Sequence, residues 1–568
     1  MTATVTTRVD RLEQLLGDPW QPDAPLTNDV ILAADERSEM STRGEELLDE
    51  FGFGAEFVPV AYGGRLDRLD DFLTLSRAVW RRDPTLGLGH GFASFIAGVN
   101  IWAAGTPGQC RRAAGLLLGN AKLSSVYHEL EHGNDFSRIE VSARPHGPDH
   151  LALHGRKAII TNVGRASALV VLARTSAEPG SRSISQILVD RAALPADGIT
   201  DLPRYPTVGM RGLMLAGVDF DGYRVPAGAV LGEPGRGIEV ALRSFQLTRT
   251  AMPAMAAGVL DTGLRATMRF TGDRRLYGRP VASLPAVQAE LADAFTDLLI
   301  VDALAMSTAR AIHALPEETV VAASATKFLG SRRLLDAMNR LSRVLGAHFY
   351  VRDGEYAIFQ KLLRDLAPAG FGHAARVACL VTMLPQLPIL ARRAWANPPV
   401  DAPAAIYRRG ADLPPLSFDA LAVRTKGGDS LTGALHAAAE ATAVADPRLH
   451  RLATAFVAEL AALTESCATL EPRDLGPAAQ PEALAVASRY ATVLAASACL
   501  NVWRHERDDP FLGDPTWAVA ALHRLARAGR LPVDPGLAAT CRPALYIELA
   551  ARFAGHRTFD LADRPLPV

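Results

Sequence analysis

Hydrophobic positions along the chain change their spacing twice. From residue 10 to 122 the spacing is helical, and Phe72, Leu75 and Val79 fall near one face of the stretch DDFLTLSRAVW. From 123 to 232, short runs rich in valine, isoleucine and leucine are bounded by glycine, proline and aspartate, a pattern typical of strands. The second stretch therefore predicts a small barrel or sandwich that follows a helical region.

Helical spacing returns after residue 233. Up to residue 390 the period is long and regular, and it places Leu291 and Leu298 on one apolar stripe. A proline-rich segment, ANPPVDAPAAIYRRGADLPPL, then predicts a linker over 391–417. Beyond it, alanine-rich apolar stretches such as ALAVASRYATVLAASACLNVW predict further helices that pack closely on other parts of the protein.

Composition and charge exclude several classes of protein. The 568 residues carry 60 basic and 61 acidic side chains, so no broad field attracts nucleic acid or an anionic membrane. Five cysteines lie far apart without a CxxC spacing, which argues against a disulfide framework. The N-terminus lacks the apolar core of a signal peptide, and no uncharged apolar run of about 18 residues occurs. We therefore expect a cytoplasmic protein without a membrane span.

Five motifs follow one another between residues 58 and 365. They read VPVAYGGRLD, GRKAIITN, FDGYRVPAGAVLGEPGRG, LYGRPVASLPAVQAELAD and EYAIFQKLLRD. In this order they resemble motifs of the acyl-CoA dehydrogenase family. The resemblance implies a mainly α fold with a central β domain. Its expected parts are an N-terminal helical domain (1–122), a β-barrel (123–232), a C-terminal four-helix bundle (233–390), the linker, and an additional helical domain (418–568).

The resemblance also implies a cofactor, FAD, whose N5 atom accepts hydride from the β-carbon of an acyl substrate. It implies a homodimer, because in the family a bundle arginine reaches the FAD pyrophosphate of the neighbouring subunit. The cofactor-binding residues expected by resemblance are Tyr127, His128, Thr161, Arg274, Tyr277, Arg343 and Gly346. Asn134 and Arg249 are the expected contacts of the acyl substrate.

Several positions depart from the family pattern. The glutamate that usually removes the α-proton is replaced by His373, and Thr248 stands where the alternative glutamate would precede Arg249. His373 is therefore the expected catalytic residue. A neutral imidazole can act as a general base near neutral pH, and it could equally orient a peroxide, a carboxylate or a water. In the flavin segment, Ile159 replaces the usual tryptophan, and HELEHGND replaces the usual T-E-P-x-x-G-S-D.

The segment HELEH also matches H-E-x-x-H, the pattern of a zinc-binding helix. Gly133, Asn134 and Asp135 would end such a helix within one residue of His132, and no third-ligand motif follows. We therefore expect no metal at this segment.

Three functions remain open at the level of sequence. The first is an FAD-dependent desaturase of an acyl substrate in specialised metabolism. The second is an oxygenase of the same fold, of the epoxyketone-forming type, which decarboxylates, desaturates and oxygenates a β-keto acid. The third is a scaffold that keeps the fold without catalysis. The substrate of either enzyme would be a CoA thioester, a carrier-protein thioester or a free β-keto acid.

Overall fold

The computed structural model describes residues 5–178, 180–372 and 375–568. The chain forms two compact units. The mixed unit comprises Leu15–Asp67 and Asp83–Thr248, and the helical unit comprises Met1–Gln14, Arg68–Arg82 and Arg249–Val568. Each unit is therefore assembled from segments that are far apart in the sequence.

Helices make up most of the described chain. In chain order they are α1 (Val5–Leu16), α2 (Asn28–Glu36), α3 (Thr42–Phe51), α4 (Leu69–Arg82), α5 (Pro84–Leu86), α6 (Ala93–Ala104), α7 (Pro107–Leu118), α8 (Gly237–Asp273), α9 (Pro285–Ala314), α10 (Thr319–Leu345), α11 (Ile358–Asp365), α12 (Pro368–Phe371), α13 (Arg376–Met383), α14 (Leu387–Leu390), α15 (Ser430–Thr442), α16 (Pro447–Ala468), α17 (Pro481–His505), α18 (Pro515–Ala528) and α19 (Leu537–Ala554). Short turns of π-helix follow α5 and α14.

The strands of the mixed unit form one curled sheet of seven strands. They are β1 (Lys122–Val126), β2 (Ser142–His146), β3 (His150–Thr161), β4 (Ala166–Arg174), β5 (Ile184–Asp190), β6 (Ile199–Asp201) and β7 (Leu215–Pro226). Their order is β1-β4-β2-β3-β7-β6, and β5 pairs with β4. Most pairs are antiparallel, whereas β4 runs parallel to both β1 and β2. Leu153, Val171 and Val218 are among the apolar side chains at its core.

The helical unit has long buried helices and a small exposed hairpin. The hairpin consists of β8 (Arg275–Leu276) and β9 (Arg279–Pro280). Arg77 on α4 lies in the core, where it donates to Asp302 on α9 at 2.6 Å and to Asp560 near the C-terminus at 2.7 Å. Because removing one partner of a buried ion pair leaves an uncompensated charge, these contacts bind the C-terminal segment firmly to α4 and α9.

In the part of the chain that the structure describes, two single helical stretches are long and apolar enough to cross a membrane by length and composition, namely Pro84–Ala104 and Pro481–His505. In the folded protein, however, 94% and 78% of their apolar windows are buried. Packing inside the protein therefore accounts for their composition. The sequence had predicted close packing of the second stretch.

The predicted fold class is confirmed: the chain is mainly helical with a curled sheet, and further helices follow the bundle. The stretch with Phe72 and Val79 is α4, and the stripe with Leu291 and Leu298 lies on α9. The stretches LALHGRKAIIT and GVDFDGYRV form most of β3 and β7, which pair with each other.

Candidate active site

The end of β3 carries two residues in the left-handed region of backbone space. Ile159 has φ +56° and Asn162 has φ +63°, and the pairing of β3 with β7 is irregular beside Ile159. A β-branched residue avoids this region, so the surrounding structure must hold Ile159 there. The Ile159 side chain is 42% exposed. The strand thus presents an apolar side chain outward at the position where the resemblance predicts contact with the flavin.

Thr161 lies between these two residues. Its carbonyl oxygen accepts a hydrogen bond from Ser124 on β1 at 2.7 Å. Its own hydroxyl has no hydrogen-bond partner among the described residues, and the residue is half-buried. The hydroxyl is therefore free to bind a ligand.

Tyr127 follows β1 and is buried inside the mixed unit. Its hydroxyl donates to Asn100 Oδ1 at 2.8 Å, and Gln186 Nε2 donates to the same oxygen at 3.1 Å. The Tyr127 ring meets Phe136 edge-on. Burial raises the pKa of Tyr127 above its usual value, so the phenol stays neutral and remains a donor. These contacts hold the Tyr127 side chain in the core, so only its backbone is left to face a cofactor.

His128 is the next residue, and one nitrogen of its ring is buried without a hydrogen-bond partner among the described residues. Its carbonyl oxygen accepts from the backbone N–H of Ala158 on β3 at 3.1 Å. Its Nδ1 atom is buried and has no hydrogen-bond partner in the part of the chain that the structure describes. A buried polar atom without a partner is costly, and it marks a place where a bound ligand could complete the hydrogen bond.

Glu129, the residue after His128, forms an ion pair with Lys157 that the sequence did not predict. Lys157 Nζ donates to Glu129 at 2.8 Å and to the carbonyl oxygen of Tyr127 at 3.0 Å. Glu129 also accepts from the backbone N–H groups of Glu140 and Val141. Burial lowers the pKa of Lys157 to about 8, although Glu129 opposes this shift. The pair fixes both ends of the loop that contains His128.

The rest of this loop is open. Asn134 is exposed to solvent, and no residue from Tyr127 to Asn134 lies in a helix. The helix that a paired-histidine zinc site requires therefore does not form at HELEH. His132 Nε2 lies 3.4 Å from Glu140, a surface carboxylate.

The helical unit contains a buried cationic cluster. Arg249 on α8 donates to the hydroxyls of Ser324 at 2.9 Å and Thr382 at 3.4 Å. Lys327, one turn beyond Ser324 on α10, donates to the carbonyl oxygen of Gly372 at 2.9 Å. Burial lowers the pKa of both groups, that of Lys327 to about 8, and the Arg249 charge contributes to the shift of Lys327. Lys327 pairs with no carboxylate among the described residues.

His373, the expected catalytic residue, lies outside the described residues. Gly372 precedes it in the sequence, and Lys327 binds the Gly372 carbonyl. Lys327 was not singled out from the sequence, because a lone lysine in an apolar helix pattern carries no distinguishing signal.

Arg274 and Tyr277 lie at the exposed hairpin. Tyr277 has φ +55° and Gly278 has φ +76°, as a tight two-residue turn requires. Tyr277 is 88% exposed, and Arg274 is exposed beside it. Both side chains therefore point to solvent and could contact a second chain.

Arg343 and Gly346 lie where α10 ends. Both are exposed, and Gly346 has φ +58°. The segment that follows packs on the end of α8, where the Tyr356 hydroxyl donates to Asp273 at 2.7 Å. Of the predicted residues, Tyr127, His128 and Thr161 are thus brought together in the mixed unit. Arg249, the hairpin and the end of α10 belong to the helical unit.

Two parts of the chain match known protein domains. Residues 126–223 match the acyl-CoA dehydrogenase middle domain, and residues 235–372 match the acyl-CoA dehydrogenase C-terminal domain. A probable acyl-CoA dehydrogenase of Mycobacterium tuberculosis is 30% identical over 269 residues. That alignment covers 46% of this chain and 66% of the relative's length.

Solved structures extend the similarity of fold to the C-terminal helices. An acyl-CoA dehydrogenase of Bacillus anthracis complexed with FAD superposes with a TM-score of 0.73 at 16% identity, covering 97% of this chain and 94% of that one. Butyryl-CoA dehydrogenase of Megasphaera elsdenii superposes with a TM-score of 0.61 at 19% identity, covering 67% and 98%. The chain therefore carries the middle and C-terminal domains of the acyl-CoA dehydrogenases.

Proposed function

We propose that this protein is an FAD-dependent oxidoreductase that desaturates an acyl substrate between its α- and β-carbons. FAD is the cofactor of the acyl-CoA dehydrogenase family. The observation that carries the proposal is the set of ligand-ready groups at the end of β3 and in the loop before it. These are the partnerless Nδ1 of His128, the free hydroxyl of Thr161 and the outward Ile159.

These groups fit a flavin. An isoalloxazine ring combines an apolar face with hydrogen-bonding edges, and the site offers an apolar side chain together with donors that the protein itself leaves unused. His128 and Thr161 would hold the polar edge, and Ile159 would contact the ring. When bound, FAD supplies the acceptor for the hydride removed from the substrate.

The cationic cluster of Arg249 and Lys327 suits the acyl substrate. Removal of an α-proton places negative charge on the carbonyl oxygen of a thioester, and buried cations stabilise developing charge more strongly than solvated ones do. We propose that this cluster stabilises that charge, and that Lys327 positions the chain at Gly372, next to His373. His373 would accept the α-proton.

Replacement of the histidine tests its role. His373→Ala should lower turnover at least about tenfold if His373 is the base. His146→Ala, on the exposed end of β2, serves as a matched control and should leave turnover unchanged. Equal turnover in His373→Ala and the unmodified protein would reject the role of His373 and leave the flavin assignment intact.

A second candidate function is decarboxylation and oxygenation of a β-keto acid in specialised metabolism. Two observations favour it: the chain lacks both customary glutamates, and Arg249 and Lys327 form a buried cationic cluster that could bind a free carboxylate. Loss of carbon dioxide would generate the carbanion without a base. Oxygen uptake with one oxygen atom incorporated into the product would support this candidate. Reduction of the flavin by acyl thioesters without oxygen incorporation would support desaturation.

We propose that the protein acts as a homodimer. The exposed hairpin with Arg274 and Tyr277 supports it, because solvent-facing arginine and tyrosine are typical of interfaces.

A scaffold without catalysis remains the competing explanation. Protein that stays colourless and gains no flavin absorbance when supplied with FAD would favour the scaffold over both enzymes.

A further inference from the structure

A cavity in the helical unit is lined mainly by arginines. It has a volume of about 620 Å³ and lies among α9, α10, α17, α18 and α19, and its lining includes neither Arg249 nor Lys327. Its lining includes eight arginines and three aspartates. The volume falls within the range of small-molecule sites, so the cavity can hold a ligand the size of a nucleotide.

Part of this positive charge is already neutralised by the protein. Asp297 is buried and binds Arg333 at 2.8 Å together with Arg340 and Arg524. Asp293 binds Arg542 at 2.8 Å and also Arg524. Three guanidinium groups thus share one carboxylate at the floor of the cavity, which leaves the floor positive.

Two carboxylates outside the lining balance part of the remaining positive charge. Glu459 pairs with Arg489 at 2.6 Å, and Glu290 lies 3.4 Å from Arg340. The eight arginines face five carboxylates, namely the three lining aspartates and these two glutamates, so three positive charges remain in excess. A ligand that brings two or three negative charges would neutralise the site.

Two of the lining arginines have no carboxylate partner among the described residues. Arg527, in the last turn of α18, and Arg530, just beyond it, are both exposed at the cavity. Their guanidinium groups are therefore available to a ligand and offer the bidentate geometry that suits phosphate oxygens.

Arg530 occupies a backbone position that normally favours glycine. It has φ +59° and follows Gly529, the residue that caps α18, at the position where a left-handed residue commonly closes a helix. An L-residue is strained there, and strain of this kind clusters at ligand sites. The first turn of α19 also reaches the cavity through Ala538, and no side chain caps that helix N-terminus. The positive end of the helix dipole adds a further attraction for anions.

We propose that this cavity is a second ligand site, which binds a small molecule carrying a diphosphate or triphosphate group. The site does not depend on the flavin or on the acyl substrate. The polyphosphate group would lie between Arg527, Arg530 and the floor formed by Arg333 and Arg524, and any base or sugar would fill the remaining volume.

Calorimetric titration of the FAD-loaded protein tests the site, because bound FAD occupies the flavin's own pyrophosphate contacts. Inorganic pyrophosphate should bind with a stoichiometry near one, and its affinity should fall as salt is raised. ADP that binds more tightly than pyrophosphate would identify a nucleotide as the ligand. Equal affinities would identify the polyphosphate group alone, and adenosine should not bind.

Substitutions distinguish binding of pyrophosphate at this cavity from nonspecific attraction of an anion to arginines elsewhere on the protein. Arg527→Ala combined with Arg530→Ala should weaken pyrophosphate binding at least about tenfold. Arg530→Gly removes a charge while relieving the left-handed strain, so it should fold at least as well and still bind more weakly. Arg451→Ala, at an exposed position on α16 outside the cavity, is the control and should bind normally. No binding to the unmodified protein, or equal binding by all four proteins, would overturn the proposal.

Discussion

At the scale of single residues, Lys327 is the most informative side chain. It is fully buried on α10, and burial together with the Arg249 charge lowers its pKa from 10.5 to about 8. Between about pH 8 and 10.5 the folded protein therefore holds fewer protons than the unfolded chain. The charge costs stability below about pH 8, and this cost of about 3 kcal/mol disappears as the pH rises toward 10.5.

Lys327→Met should flatten this dependence on pH. We expect the free energy of unfolding of the unmodified protein to rise from pH 8 to pH 10 relative to that of Lys327→Met, as measured by urea unfolding at several pH values. Lys426→Met removes an exposed lysine and should keep the slope of the unmodified protein. Parallel pH curves for Lys327→Met and the unmodified protein would contradict the burial of a charged amine.

The pair of Glu129 and Lys157 allows a sharper experiment at the same scale. Lys157→Met leaves a buried carboxylate without its cation, so it should destabilise the protein by about 3–5 kcal/mol. The double variant Glu129→Gln with Lys157→Met removes both charges and should recover much of that loss. Because the pair holds the loop of His128, Lys157→Met should also weaken FAD binding, measured by equilibrium titration of flavin fluorescence.

Sequence motifs located this site only in part. GRKAIITN placed Thr161 and Ile159 on the strand that carries the candidate flavin groups. The same motif contains Lys157, yet its partner Glu129 lies 28 positions away in a loop. Spacing in the sequence cannot report such a pairing, because it depends on the path of the loop and on burial. The left-handed conformation of Ile159 was equally hidden, because it goes against the preference of the residue.

At the scale of elements, the periodicity identified α4, α9 and the strands β3 and β7, because each has one apolar face with a regular period. It gave no sign of how α9, α10 and α18 are joined. Asp297 on α9 binds arginines from both other helices, Arg333 and Arg340 on α10 and Arg524 on α18. These arginines hold the pKa of Asp297 well below its usual value, although burial acts to raise it. Asp297 therefore stays ionised.

Asp297→Ala should therefore be severely destabilising. The change leaves three guanidinium groups without their common carboxylate, and we expect a loss of about 3–5 kcal/mol in guanidinium-induced unfolding. Asp336→Ala is the matched control on α10, because Asp336 lies 3.7 Å from Arg332 with both side chains more than half exposed. Such an exposed pair should contribute less than about 1 kcal/mol. A similar loss of unfolding free energy in both variants would show that Asp297 does not join the three helices.

At the scale of the whole molecule, the order of helical and strand-like stretches in the sequence predicted the fold class. That order could not show that each of the two compact units combines segments from different stretches. Residues 68–82, which lie within the N-terminal helical stretch, belong to the helical unit. The buried contacts of Arg77 with Asp302 and Asp560 explain this assignment, since they join segments almost 500 positions apart. Such long-range contacts leave no periodic trace in a single sequence.

The proposed homodimer makes a prediction at this scale. Arg274→Ala combined with Tyr277→Ala changes only exposed side chains, so it should leave the stability of one chain within about 0.5 kcal/mol. It should nevertheless raise the dissociation constant of the dimer or of FAD at least tenfold, as measured by sedimentation velocity and flavin release. A protein whose mass and flavin content are unchanged would exclude the hairpin from the interface.

The central claim is that the protein carries a flavin which oxidises an acyl substrate. Anaerobic titration of the FAD-loaded protein with acyl thioesters and β-keto acids, followed by the visible absorbance of the flavin, tests this claim most directly. We predict that at least one compound bleaches the flavin stoichiometrically and yields an α,β-unsaturated product. A protein that binds FAD but is reduced by no member of either class, or that binds no FAD, would contradict the claim.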